Sequence, residues 1–447
     1  MSLVFKLVSR LGLHSISMLL LLSGLVVVDQ SVNLQIIGSA FAQDSEKKRE
    51  TRKTPALRNN IYEKLAEAQV FAEASQYAEA EAVLDAMLDA TSKKSKLNRY
   101  ELATVYQTYA YLRYALEDYE GSLGFYQKVI DQRPEIPLAM EINTLYTIAQ
   151  LYFVQEDWRR GVDTLNQWMS VTDAPNTNAY VLLAQGYYQL QDYDLSLSNI
   201  ETAIQREEAA GKIPKEQWYN LARFIYFDRN QYRKALDILE IMIRYYPKRQ
   251  YWLQASALHS ELDDEPRQLA MLEAAYEQNL LDRGQDIVNL ASLYMNAEAP
   301  YWAAKAMSQG FDDDIIEKES KNYELTGAAW RQAQEVRKSL PMLEQAASKS
   351  EKGELYARLG NVLLDLDRNK EAAEALKRGL DKGGIKRSDQ ARLALGMAYF
   401  NLGDFNAARR AFREARKDKR ARSYADQWLK YITSEENRLE ELAKELG

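Results

Sequence analysis

The chain has 447 residues, a net charge of -7 and a hydrophobic content of 46%. That length exceeds a single compact core, the acidity leaves no electrostatic footprint for nucleic acid, and the apolar share argues against bulk disorder. Cysteine is absent and histidine occurs only as His14 and His259, which excludes disulfides, thiolate nucleophiles and Cys-based metal sites and leaves almost nothing for a Ser–His–Asp centre or a histidine metal cluster.

Residues 1–42 read as an export signal. Lys6 and Arg10 form a positive start, Ile16 to Val28 an apolar core, and Ala40-Phe41-Ala42 a small-residue cleavage site. The spacer from Asp29 to Ser39 is long for such a signal. The alternative is an uncleaved anchor, since Leu11 to Val28 is mostly apolar and at the lower edge of spanning length. Either way, the rest of the chain is expected outside the cytoplasm, in the periplasm. Residues 43–55 are charged, lack apolar periodicity and read as a flexible leader.

From residue 56 a helical pattern repeats. Its clearest unit runs Leu395-Gly396-Met397-Ala398-Tyr399-Phe400-Asn401-Leu402-Gly403-Asp404-Phe405-Asn406-Ala407-Ala408-Arg409-Arg410-Ala411-Phe412. A small residue in a first helix and another twelve positions later in a second helix let the two approach closely, and Gly403-Asp404 turns between them. The first small slot falls at Ala68, Ala110, Ala149, Ala184, Arg223, Ser256, Ala291, Gly327, Gly360 and Gly396. The second falls at Ala80, Ser122, Gly161, Ser196, Ala235, Gln268, Ala303, Ser339, Ala372 and Ala408. Tyr77, Tyr119, Trp158, Tyr193, Tyr232 and Phe405 start the second helix. The units around residues 256–339 are looser, with Glu265, Pro300 and Val336 in place of that aromatic, and Arg223 departs from the small slot. Residues 421–447 form one further amphipathic segment that suits a capping helix.

These motifs resemble the tetratricopeptide repeat, whose ~34-residue period the spacing approaches. The resemblance implies an all-α, right-handed superhelical solenoid over residues 56–420 of about ten helix–turn–helix units, with a concave face lined by the first helix (helix A) of each unit that accepts protein segments. On that reading Tyr114, Phe153, Tyr188 and Phe227 form an aromatic ladder, and Asn143, Gln150, Asn178, Gln185 and Asn220 interleave carboxamides that suit an extended peptide backbone. The alternative is that the rings pack as core.

Between Lys377 and Arg422, fourteen Lys or Arg against five acids leave +9. Arg409, Arg410, Arg413, Arg416, Lys417 and Arg420 are therefore a candidate dock for an acidic partner or an anionic membrane surface. The alternative is a solvated helix face, with Glu435, Glu436, Glu440 and Glu441 neutralising part of it. Asp263-Asp264-Glu265 and Asp312-Asp313-Asp314 lack the ligand alternation of a calcium loop and read as turn and capping residues. His259 reads as a core or groove filler. No catalytic residue, metal site or cofactor is expected.

Residues 56–69 and 143–153 further resemble the periplasmic repeat proteins that accompany TonB-type energy transduction systems in marine γ-proteobacteria. That resemblance implies an adaptor that binds protein partners in the cell envelope, TonB-system components among them, with no nucleic acid. Membrane contact is expected only through an uncleaved amino terminus or the basic carboxy-terminal repeat. Rival readings are a scaffold for polysaccharide export or peptidoglycan assembly, and an enzyme with a concealed site, which the residue inventory disfavours.

Overall fold

A computed structural model describes residues 52, 55–89 and 96–446. The expected export signal and most of the leader lie outside the described residues. Every regular element among the described residues is an α-helix. In chain order they are α1 (Asn59–Glu73), α2 (Tyr77–Leu88), α3 (Arg99–Ala115), α4 (Tyr119–Ile130), α5 (Leu138–Val154), α6 (Trp158–Val171), α7 (Thr177–Gln189), α8 (Tyr193–Ala209), α9 (Glu216–Asp228), α10 (Tyr232–Tyr245) and α11 (Arg249–Glu261). There follow α12 (Glu265–Glu277), α13 (Gly284–Asn296), α14 (Pro300–Asp312), α15 (Ser320–Gln332), α16 (Val336–Lys349), α17 (Glu354–Asp365), α18 (Asn369–Lys382), α19 (Ser388–Asn401), α20 (Phe405–Arg416) and α21 (Arg422–Leu446). Odd and even helices alternate along the chain as ten helix–turn–helix hairpins, and α21 stands after the last. The chain divides at Ile238, within α10, into two compact units.

Each hairpin closes the same way. The residue after the helix-A C-cap takes a left-handed conformation, at Ser75, Glu117, Glu156, Gln191, Asn230, Asp263, Glu298, Gln334, Asp367 and Gly403, with φ between 55 and 77°. The next amide then donates back five residues, as Asp192 N–H does to the Tyr187 carbonyl at 2.8 Å, the signature of a Schellman turn. Only Gly403 escapes the steric penalty of that conformation. In five hairpins the following residue is an Asp (118, 157, 192, 264 and 404) whose carboxylate accepts from the third backbone N–H of the second helix. Such a cap stabilises by ~1 kcal/mol.

The small slots meet as their spacing predicts. Ser122 Oγ donates to the Ala110 carbonyl and Ser196 Oγ to the Ala184 carbonyl, both at 2.8 Å. In the sixth hairpin the polarity reverses, and Ser256 Oγ donates to the Gln268 carbonyl at 2.9 Å. A Cβ on Gly396 would stand 2.6 Å from the Phe412 ring, so that side chain occupies the room the glycine leaves. The looser units keep the register, because Glu265, Pro300 and Val336 each open the second helix of their hairpin, as Tyr193 does.

Within unit 1, the core of hairpins three and four gathers Ile148, Phe153, Val162, Leu165, Trp168 and Leu183. In unit 2, one cluster runs through Trp252, Leu290, Met307, Trp330, Leu343, Leu359 and Val362. A tyrosine of one hairpin also reaches back to an acid on the preceding second helix. Tyr294 donates to Glu273 at 2.9 Å, and Tyr109 and Tyr226 do likewise to Asp85 and Glu201. Burial first, then the carboxylate neighbour, pushes these phenols above their ordinary range, so they remain neutral donors. α21 buries Ala425 and Ile432 and stacks Trp428 on Phe412 at 5.3 Å, while Tyr424, Tyr431, Leu439 and Leu442 stay exposed.

Candidate functional site

The ladder rings lie at the closed ends of their hairpins. Tyr114 meets Tyr119, Phe153 meets Trp158, Tyr188 meets Tyr193 and Phe227 meets Tyr232, with centroids 5.7 to 6.1 Å apart. The turn brings the fourth residue after the small slot onto the first residue of the second helix, and the two rings pack there. Phe153 is only 6% exposed. Its ring fills space over Gly161 and Gly186, where added Cβ atoms would come within 3.2 and 2.8 Å. Phe153 is therefore core, correcting its placement in a groove. Tyr114, Tyr188 and Phe227 are half-buried. Tyr188 also meets a ring of the next hairpin, edge-on to Phe224 at 6.0 Å, and burial raises its phenol.

The carboxamides behave differently. Asn143 and Asn178 are exposed, and Gln150 and Gln185 half-buried. Among the described residues, none of these four side chains makes a hydrogen bond within the chain. Asn143 and Asn178 precede the small slots Ala149 and Ala184 by six positions, and Gln150 and Gln185 follow them by one. Seven residues separate the members of each pair, which puts both amides on one face about 10 Å apart along the axis. Asn220 stands three positions before its slot and accepts from Arg223 at 3.2 Å, so it does not continue this register.

The same register holds aromatics, two of them exposed, that the sequence reading passed over. Tyr62 in α1 and Tyr111 in α3 are 59% and 51% exposed, and Phe224 in α9 is half-buried. Counting six back and one on from each small slot would have found all three. The helix-A face of unit 1 thus joins free amides to rings.

The basic end is largely satisfied within the chain. Arg409 forks onto Glu436, Arg416 pairs with Asp426 at 2.6 Å, Lys417 with Glu414 at 2.7 Å, and Arg420 with Asp418 at 2.7 Å and Asp389 at 3.4 Å. Of the six candidate docking cations, only Arg410 and Arg413 have no partner among the described residues. Asp263 adopts the left-handed turn and Asp264 caps α12. Asp312-Asp313-Asp314 instead ends α14, with Asp314 paired to Lys318 at 2.6 Å, so that cluster caps no helix start. His259 is buried in α11, its Nδ1 3.5 Å from Asp264. No group of three His, Cys, Asp or Glu suited to a metal ion occurs among the described residues. No helix among them is long and apolar enough to cross a membrane.

Residues 357–426 match the tetratricopeptide repeat family model. That stretch spans the ninth and tenth hairpins and the start of α21, and the earlier hairpins repeat its turn and slot geometry. No curated protein matches the chain. Solved structures similar to it include YrrB, described as a TPR protein with an unusual peptide-binding site, at 16% identity over 39% of this chain and 85% of its own, TM-score 0.32. A tetratricopeptide repeat protein from Parabacteroides merdae aligns at 14% identity over 61% of this chain and 99% of its own, TM-score 0.33. MamA aligns at 16% identity over 40% and 91%, TM-score 0.33. No binding property is carried over from them.

Proposed function

We propose that the chain is a protein-binding scaffold that holds a partner segment on the helix-A face of hairpins three and four, without catalysis. The observation that carries this reading is the set of four unbonded carboxamides, Asn143, Gln150, Asn178 and Gln185, repeated at one register on adjacent hairpins. Each amide offers a donor and an acceptor at once, which is what an extended backbone requires. A photo-reactive amino acid at position 178 or 185 should give protein adducts in cells, identified by mass spectrometry. Equal labelling from position 198 on α8 would sink the assignment.

The finer part of the proposal is the setting. The signal-like residues 1–42 support a periplasmic location, and the resemblance of residues 56–69 and 143–153 supports an accessory role in a TonB-type transport system. Fractionation that recovers the chain only from the cytosol would overturn the location. Adducts that never include envelope energy-coupling components would overturn the transport role.

A further inference from the structure

The two helices that carry the free amides are almost without charge. α7, from Thr177 to Gln189, contains no Asp, Glu, Lys or Arg, and neither does α5 from Ile142 to Val154. The single acid of α5, Glu141, lies in its first turn, buried and paired with Arg133 at 3.2 Å and with Arg52. This is not a general property of the chain, of which 28% of residues are charged. The adjacent second helix α8 alone carries Asp194, Glu201, Arg206, Glu207 and Glu208.

Resting on the reading that this face holds a protein segment, we infer that the segment is uncharged and extended, and that it is recognised through its backbone. A charged side chain laid against the amide-bearing face of α5 and α7 would lose water and find no charged residue of that stretch opposite it, whereas a backbone amide or neutral polar group would find Asn143, Gln150, Asn178 and Gln185. Three rings of these helices are already engaged from one side, which favours a peptide over a neutral glycan. Arg160 lies over Tyr152 at 4.7 Å, Arg206 over Tyr180 at 5.3 Å, and Tyr146 packs on Trp168 at 4.9 Å. A sugar needs an open ring face to stack on, and a peptide strand needs only the amides.

The test pans a random peptide library displayed on phage against the full chain, at low and at high salt, alongside an array of neutral oligosaccharides. The inference expects enriched sequences poor in Asp, Glu, Lys and Arg, retained equally at both salt concentrations. It also expects the Asn178→Ala/Gln185→Ala variant, with unchanged melting, to bind the selected peptides about tenfold more weakly. Charged peptides that elute with salt would overturn this inference and leave the protein-segment reading standing. Retention of oligosaccharide with no peptide enriched would overturn both.

Discussion

Ser196 Oγ donates to the Ala184 carbonyl at 2.8 Å, and both residues are fully buried between α7 and α8. Ser122 and Ala110 repeat the contact in the second hairpin. Twelve residues of sequence separation are thereby converted into one direct bond across a hairpin. Replacing Ser196 by Ala removes the donor but keeps the volume nearly constant, so the loss is that of one buried hydrogen bond. Denaturant unfolding should show about 1 kcal/mol of destabilisation, and a neutral result would mean that small size alone matters at this slot.

Glu156 occupies a left-handed turn at φ 59°, is exposed, and makes no side-chain bond among the described residues. Glu156→Gly removes the Cβ penalty of that conformation, offset in part by the greater freedom glycine gives the unfolded chain. A net gain of about 0.5 kcal/mol is expected in thermal or denaturant melts. The same change at an exposed position inside α6 should destabilise instead.

Acid should weaken unit 1 through Glu101. Its carboxylate is buried, takes a fork of hydrogen bonds from Arg58 and completes the capping box of α3. The Arg58 bond, before any other cause, holds its carboxyl below the usual range. A depressed folded-state value means the contribution is complete above the unfolded carboxyl range near pH ~4 and is lost as pH falls toward the folded value. Glu101→Gln should therefore lower stability at neutral pH and flatten the fall between about pH 5 and pH 2. An unchanged acid limb would assign that fall to other carboxylates of unit 1, with Asp157 next because the Arg160 hydrogen bond depresses it in the same way.

Phe153 and the amides should separate in one experiment. Phe153→Ala empties the space over Gly161 and Gly186 and is expected to cost about 3–4 kcal/mol, visible as a lower melting temperature. Asn178→Ala with Gln185→Ala should leave melting within ~0.5 kcal/mol of the parent while partner cross-linking disappears. The reverse pattern would return the ladder to the groove.

Much of the architecture was legible because the demand at the small slots is steric and local: Ala, Ser or Gly recurs at two positions twelve apart where helices approach closely, and only Arg223 and Gln268 depart from it. The ladder was not legible in the same way. Whether Phe153 faces a groove or a turn depends on where Trp158 lands after the turn, and periodicity along one helix does not encode that. Tyr62 and Tyr111 went unnoticed because they differ in type from Asn143 and Gln150, although they share the register. The basic end looked freer than it is because Asp426, which takes up Arg416, falls beyond the window over which its charge was summed, whereas Glu436, named from the sequence as a neutralising acid, takes up Arg409.

The turn geometry carries a consequence for how such a chain can change. At nine of the ten turns the left-handed residue is not glycine, so the bend is imposed by backbone hydrogen bonds and not by any one side chain. Positions such as Ser75, Gln191 and Asp367 can then drift among polar residues while the step from hairpin to hairpin is kept. Sequence similarity between units can fade well before their geometry does, and the exposed face of any single unit can be rewritten without disturbing its neighbours.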